Sequence, residues 1–256
     1  MNIRYFVSPS FFAISFFGLP LLVNAQPSFD IESGFVFTGY NNVRISGSQG
    51  TLFSLKDDFD AKPSAFVRIR AGYTIKTRHS ISALYAPLLV QSEGISEMPI
   101  YFQGVNFATN TFINAKYQFN SYRLTYRYDF VKRKKIEFGI GLTAKIRDAE
   151  IALQSPTMSA SKKNVGFVPI VNFRLNWRIH NKIGVLLEGD ALVASQGRAE
   201  DILIAGTYDI SDKIKIRLGY RILEGGADGN QVYNFSLLHY ASFGITYVFT
   251  KTTQSQ

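Results

Sequence analysis

The side chains best able to do chemistry in this 256-residue chain are two neighbouring carboxylates and three histidines. Glu188 and Asp190 stand two residues apart in Leu186-Leu187-Glu188-Gly189-Asp190. On an extended strand such residues share a face and lie ~7 Å apart, a spacing suited to general acid–base catalysis. His239 precedes Ser242 by three residues. A Ser–His nucleophile needs hydrogen-bond reach, but three steps along a strand set the two side chains on opposite faces. Tyr240 shares the Ser242 face and does not restore the pairing. His79 and His180 fall in short turns, where a solvated imidazole is expected. Asp57, Asp58 and Asp60 supply oxygen donors of the kind that bind Ca²⁺ or Mg²⁺. A solvated acidic loop is the stronger reading, so neither a metal nor a cofactor is expected.

What must position these residues is a recurrent two-faced strand. In AFVRIRAGYTI (65–75), Ala65, Val67, Ile69, Ala71, Tyr73 and Ile75 alternate with Phe66, Arg68, Arg70, Gly72 and Thr74. Successive side chains on a strand project to opposite sides, so one face is oily and the other mostly polar. The pattern returns at 122–130, where Arg123 and Arg127 oppose Tyr122, Leu124, Tyr126, Tyr128 and Phe130. It returns at 136–147 with Lys145 and Arg147 against Phe138 and Ile140, and at 165–179 with Arg174 and Arg178 against Phe173 and Trp177. In 213–222 Arg217 and Arg221 oppose Ile216, Leu218 and Tyr220. Charges confined to a narrow interior must be paired. Glu188 and Asp190 are therefore expected as counter-ions to Arg68, Arg70, Arg123, Arg127, Arg147, Arg174, Arg178, Arg217 and Arg221, a ladder that fills a lumen, and not as an acid–base pair.

A soluble sandwich shows the same alternation. Three features favour a closed membrane barrel. The polar faces are dense in charge. The outward aromatics Tyr73, Tyr128, Phe130, Phe138, Trp177, Tyr208, Tyr247 and Phe249 gather near short turns or the chain end, as an interfacial girdle would. Short turns at 76–79, 131–135, 180–182 and 211–213 alternate with mostly longer loops at 46–60, 91–110, 155–163, 196–200 and 225–232. The fold class is thus an all-β, closed antiparallel transmembrane barrel. Ten strands are expected, near 29–45, 61–76, 79–91, 111–131, 136–154, 164–180, 183–195, 201–210, 213–224 and 232–249. Eight strands are an alternative. Splitting 111–131 at Asn120-Ser121, where the apolar parity changes, and recruiting 50–56 gives twelve. One long strand with a bulge or a change of environment near Asn120 keeps short and long connectors at separate ends.

Arg4, the apolar run 11–23 and Val23-Asn24-Ala25 have the organisation of a cleaved secretory signal peptide. The expected divisions are a signal peptide at 1–25, a barrel at 26–249 and a polar periplasmic tail at 250–256. The chain has no cysteine, so packing or sheet closure must hold it. After residue 25 no apolar run reaches the ~18 residues of a membrane helix. The net charge is +9. In an exported chain that balance points to anionic lipid headgroups and away from nucleic acid.

Ser242-Phe243-Gly244-Ile245-Thr246-Tyr247-Val248-Phe249 resembles the C-terminal assembly signal of bacterial outer-membrane β-barrel proteins, in a polar residue (Ser242), a glycine (Gly244) and two aromatics one residue apart (Tyr247, Phe249). Seven residues follow it here, where the family signal normally ends at or near the terminus. The resemblance implies recognition by the barrel-assembly machinery, residence in a Gram-negative outer membrane, and contact with its lipids and lipopolysaccharide. The last strand must then close against the first, near Phe35 and Phe37. Enzymes of this architecture, among them lipid A deacylases, phospholipases and omptin-like proteases, place their residues on the wall or outer rim. The residues here favour a non-catalytic integral protein with a structural or surface-binding role. The alternatives are a lipid-directed hydrolase with a rim site and a narrow small-solute or ion channel. A barrel of this size has room for side chains or one small ligand.

Overall fold

Alternation of apolar and polar residues gives each strand one face for lipid and one for an interior, and the computed structural model winds these strands into one antiparallel sheet. It describes residues 25–194 and 197–249. The segments are β1 (Ala25–Ile45), β2 (Ser64–Ile75), β3 (His79–Ala86), β4 (Leu89–Ile95), β5 (Phe112–Lys132), β6 (Ile136–Gln154), β7 (Ser159–Arg178), β8 (Ile183–Ala194), β9 (Gly197–Asp209), β10 (Ile214–Asp228) and β11 (Val232–Val248). β3 and β4 form one stave interrupted at Pro87-Leu88, since both pair with β5. β11 pairs with β1 from Ser28↔Val248 to Ile45↔Val232, which closes ten staves into a barrel. The expected signal peptide, save Ala25, and the expected polar tail lie outside the described residues.

Two expectations change. The terminal motif pairs lower on β1 than expected: Tyr247 faces Phe29 and Ile245 faces Ile31, while Phe35 and Phe37 face Ala241 and His239. The cause is that β1 starts at Ala25, four residues early. The loops expected at 155–163, 196–200 and 225–232 largely vanish into strands, because β7 begins at Ser159, β9 at Gly197, and β10 runs to Asp228. As expected, β5 is one continuous strand, and no bulge interrupts it at Asn120. Its register shift lies at Phe130, opposite Phe138 and Gly139.

What changes near Asn120 is the environment. Odd residues of β5 face inward from Ile113 to Asp129, up to the register shift. Below Asn120, buried Arg123 and Thr125 alternate with exposed Tyr122, Leu124 and Tyr126. Above it, buried Ile113, Ala115 and Tyr117 alternate with outward Asn114, Lys116 and Gln118. The terminal half thus has a charged inside and oily outside, and the loop half has the polarity of a water-soluble sheet.

Two loop segments fill part of that apolar end. Phe53–Ser54 adds to β1, Asp60–Ala61 adds to β4, and a hairpin joins Ile100–Phe102 to Val105–Phe107. Phe53, Leu55, Phe59, Ile100, Phe102 and Phe107 are buried in one cluster. Phe53 meets Phe59 and Phe102 edge-on, at ring separations of 6.2 and 6.0 Å. Each buried phenylalanine contributes about 1.5–3 kcal/mol, so this cap is a core in its own right.

Candidate functional site

Inward parity sets the strand charges at one level of the lumen, where they meet across it. Glu32 of β1 accepts bonds from Arg221 Nε and Nη2 at 2.8 Å each, from Arg217 Nη2 at 3.0 Å and from Ser242 Oγ at 2.8 Å. Asp201 of β9 lies 2.5 Å from Arg221 Nη1, 3.0 Å from Arg68 Nη2 and 2.5 Å from Arg123 Nη2. Asp190 of β8 takes Arg123 Nη1 at 2.6 Å, Thr143 Oγ1 at 2.8 Å and Asn172 Nδ2 at 2.9 Å. Glu188 takes Arg70 Nη1 at 3.1 Å, with Arg174 and Arg221 each 3.7 Å away. Asp30 holds Arg217. Arg68, Arg70, Arg123, Arg217 and Arg221 thus face Asp30, Glu32, Glu188, Asp190 and Asp201 at the centre, and Arg174 reaches Glu188 from the margin. Shared, charge-assisted bonds of this kind are the geometry that repays desolvation.

The remaining arginines lie outside that centre. Arg127 pairs with Asp129 of its own strand at 2.8 Å. Arg174 sits at the margin, and Arg178, half exposed, is 4.0 Å from Asp209. Arg147 leaves the ladder altogether. Its Nη2 donates to Asn164 Oδ1 at 2.5 Å, because it stands above the paired charges, where the interior turns apolar. Asp30 and Glu32 were not expected as counter-ions, although the alternation Phe29-Asp30-Ile31-Glu32 carries the signal.

The terminal motif is built into the same network. A Cβ on Gly244 would lie 2.4 Å from Arg217 Cζ, so the glycine makes room for the guanidinium to cross β11. Ser242 points inward to Glu32. Tyr247 and Phe249 point outward, edge-on at 4.7 Å. Phe130 and Phe138 make a similar pair at 4.9 Å, and Tyr128, Trp177 and Tyr208 are exposed nearby at the terminal end. Tyr73 is half-buried.

The histidines and the acidic loop are also placed. His239 Nδ1 lies 2.5 Å from Tyr220 Oη on the outer face, while Ser242 is inside, so the wall separates them. His79 Nδ1 lies 2.9 Å from Tyr126 Oη. Asp58 accepts the Ser54 N–H at 2.7 Å and Asp57 accepts the Ser54 hydroxyl at 3.0 Å, closing a local turn.

One feature had no counterpart among the expected sites. Above the ion pairs lies a chamber of about 430 Å³, bounded by Tyr117, Ile151, Val168 and Leu223 and by the cations Lys145 and Arg147. No single strand announces it, since its walls come from β1 and from β5 through β11.

No protein-family model and no curated protein matches the chain. In structure it is similar to the outer membrane protease OmpT from Escherichia coli, with a TM-score of 0.56 and 9% identity over 88% of this chain and 97% of that one. The attachment invasion locus protein Ail of Yersinia pestis aligns at 10% identity and a TM-score of 0.39, over 88% and 99% of the two chains. Neisserial surface protein A aligns at 15% identity and 0.36, over 86% and 97%. The first likeness is one of fold: the chain has the closed, ten-stranded antiparallel architecture of an outer-membrane barrel.

Proposed function

We propose that this chain is an integral outer-membrane protein, non-catalytic and non-conducting, whose charged lumen braces the wall and whose loop end serves binding at the cell surface. The observation that carries this is the crossing of the lumen by Arg221, Arg68 and Arg123 onto Glu32, Asp190 and Asp201. These side chains occupy the path an ion would take. The split of His239 and Ser242 across the wall supports the non-catalytic part. A protease's fold at 9% identity brings no activity with it.

In this reading, export uses residues 1–25 and the assembly machinery recognises Ser242, Gly244, Tyr247 and Phe249. The aromatics of the terminal end lie at the periplasmic lipid interface, and the outward strand faces contact lipid and lipopolysaccharide. Purified protein reconstituted in a planar bilayer tests the closed lumen. A silent membrane is expected, and stepwise conductance of the native chain would overturn the proposal.

A further inference from the structure

We infer that the chamber above the ion pairs binds a small amphipathic anion, one carboxylate or phosphate head on a short apolar body, admitted through a break in the barrel wall. The inference rests on the surface-binding reading above and names what is bound.

The break lies between β7 and β8. Their pairing runs from Arg178↔Gly184 to Val171↔Ala191 and stops. β7 continues through residues 170 to 159, bonded only to β6 among the described residues. β8 instead turns back into β9, which it pairs to its end. A barrel normally leaves no such edge. The outer face beside it is apolar: Val165 and Phe167 are 68% and 65% exposed, and Val193 is 75% exposed. That is a surface for an apolar chain to cross.

The chamber opens behind this edge, lined on one side by Val168 of β7 and on the other by Leu192 of β8. About 430 Å³ falls within the range of small-ligand sites, roughly 300–1,000 Å³. Its charge is one-sided. Lys145 is 4% exposed, and among the described residues no carboxylate comes within ion-pair distance of it. Its ammonium lies 5.0 Å from the Phe119 ring centre, a poor substitute for an anion. Arg147 adds a second cation, whose buried Nε lacks an acceptor among the described residues. The plug below has no carboxylate to spare for them, because its five carboxylates already face five central arginines and Arg174. The two acids at its wall are engaged elsewhere, Glu150 by Lys116 at 2.8 Å and Lys163 at 3.9 Å, and Glu224 by the Tyr40 hydroxyl and Arg198. An unpaired buried cation is costly, and a bound anion relieves that cost. The head is therefore placed at Lys145 and Arg147, and the body along Ile151, Val168 and Leu223.

Titration calorimetry of the folded barrel in zwitterionic detergent tests this with decanoate, decyl phosphate and decanol. At least one of the two anions should bind, and the tighter of them identifies the head. Decanol should bind at least about tenfold more weakly, the worth of one charge-assisted hydrogen bond. Lys145→Met and Arg147→Gln should each weaken the anion by a similar factor. Val168→Trp should fill the chamber and abolish binding, while the heat-modifiable gel shift persists. Equal affinity for decanol and the anions, unchanged affinity in both charge variants, or no binding of any probe to folded protein would each overturn the inference. Conductance of the same preparation reports on the plug alone, so absent binding in a silent bilayer would sink the chamber and leave the closed barrel standing.

Discussion

Arg221 and Glu32 meet as a two-pronged fork in the middle of the lumen, with Nε and Nη2 each 2.8 Å from a different carboxylate oxygen. The residues belong to β10 and β1, which β11 separates, so the pair ties together staves that share no backbone bond. Both are almost wholly buried, at 1% and 2% exposure.

Glu32→Gln leaves Arg221 and Arg217 short of a counter-ion in a dry site. Breaking such a pair costs roughly 3–5 kcal/mol. The temperature at which the folded gel band converts to the unfolded one should fall markedly. Lys132→Gln removes a half-exposed pair with Glu137 and should cost about 0–1 kcal/mol. Comparable losses in the two variants would contradict the network's role.

Removing two arginines from the plug should open it. Arg68→Ser with Arg221→Ser clears two long side chains and leaves Glu32 and Asp201 facing the gap. A planar bilayer should then show small conductance steps selective for cations, against silence for the native chain. Anion selectivity would mean that the carboxylates do not line the opened path.

Gly244→Val should displace Arg217 from Asp30 and Glu32, because its Cβ would fall 2.4 Å from the guanidinium carbon. Gly206→Ala meets nothing nearer than 3.9 Å and should be tolerated. Melting followed by gel shift should separate the two, with the first lowered and the second unchanged.

The loop-end cap should respond locally. Phe102 is fully buried against Phe53, and Phe102→Ala costs about 3–5 kcal/mol at such a site. Amide exchange should accelerate across residues 51–59 and 100–107 while strand amides stay protected. Uniform acceleration round the barrel would show that the cap is not a separate unit.

At the loop-side rim, the Tyr40 hydroxyl and the Arg198 guanidinium hold the Glu224 carboxyl below its usual range, against a smaller opposing effect of burial. A carboxyl depressed on folding stabilises above its unfolded pKa and loses that contribution as pH falls through the folded value. The melting difference between native protein and Glu224→Gln should therefore be greatest near neutrality and close below about pH 4. A gap that widens on acidification would reverse the sign.

Much of this molecule was legible strand by strand. The alternation in 65–75, 122–130 and 213–222 is a property of each segment alone, because a pleated strand sends neighbours to opposite faces. It determined the oily outside, the arginine-rich inside, the ten staves and the need to pair every inward charge. What it left open was which charge meets which. Arg68 and Asp201 are 133 residues apart, and Arg221 and Glu32 are 189 apart. Their partnership depends on register and on the stagger of closure. The polarity reversal at Asn120 looked like a possible strand break, because the same alternation serves lipid outside in one half and water outside in the other. The break between β7 and β8 and the chamber behind it depend on where two strands stop pairing. That is decided by the lengths of neighbours and the path of the wall, which no single strand contains.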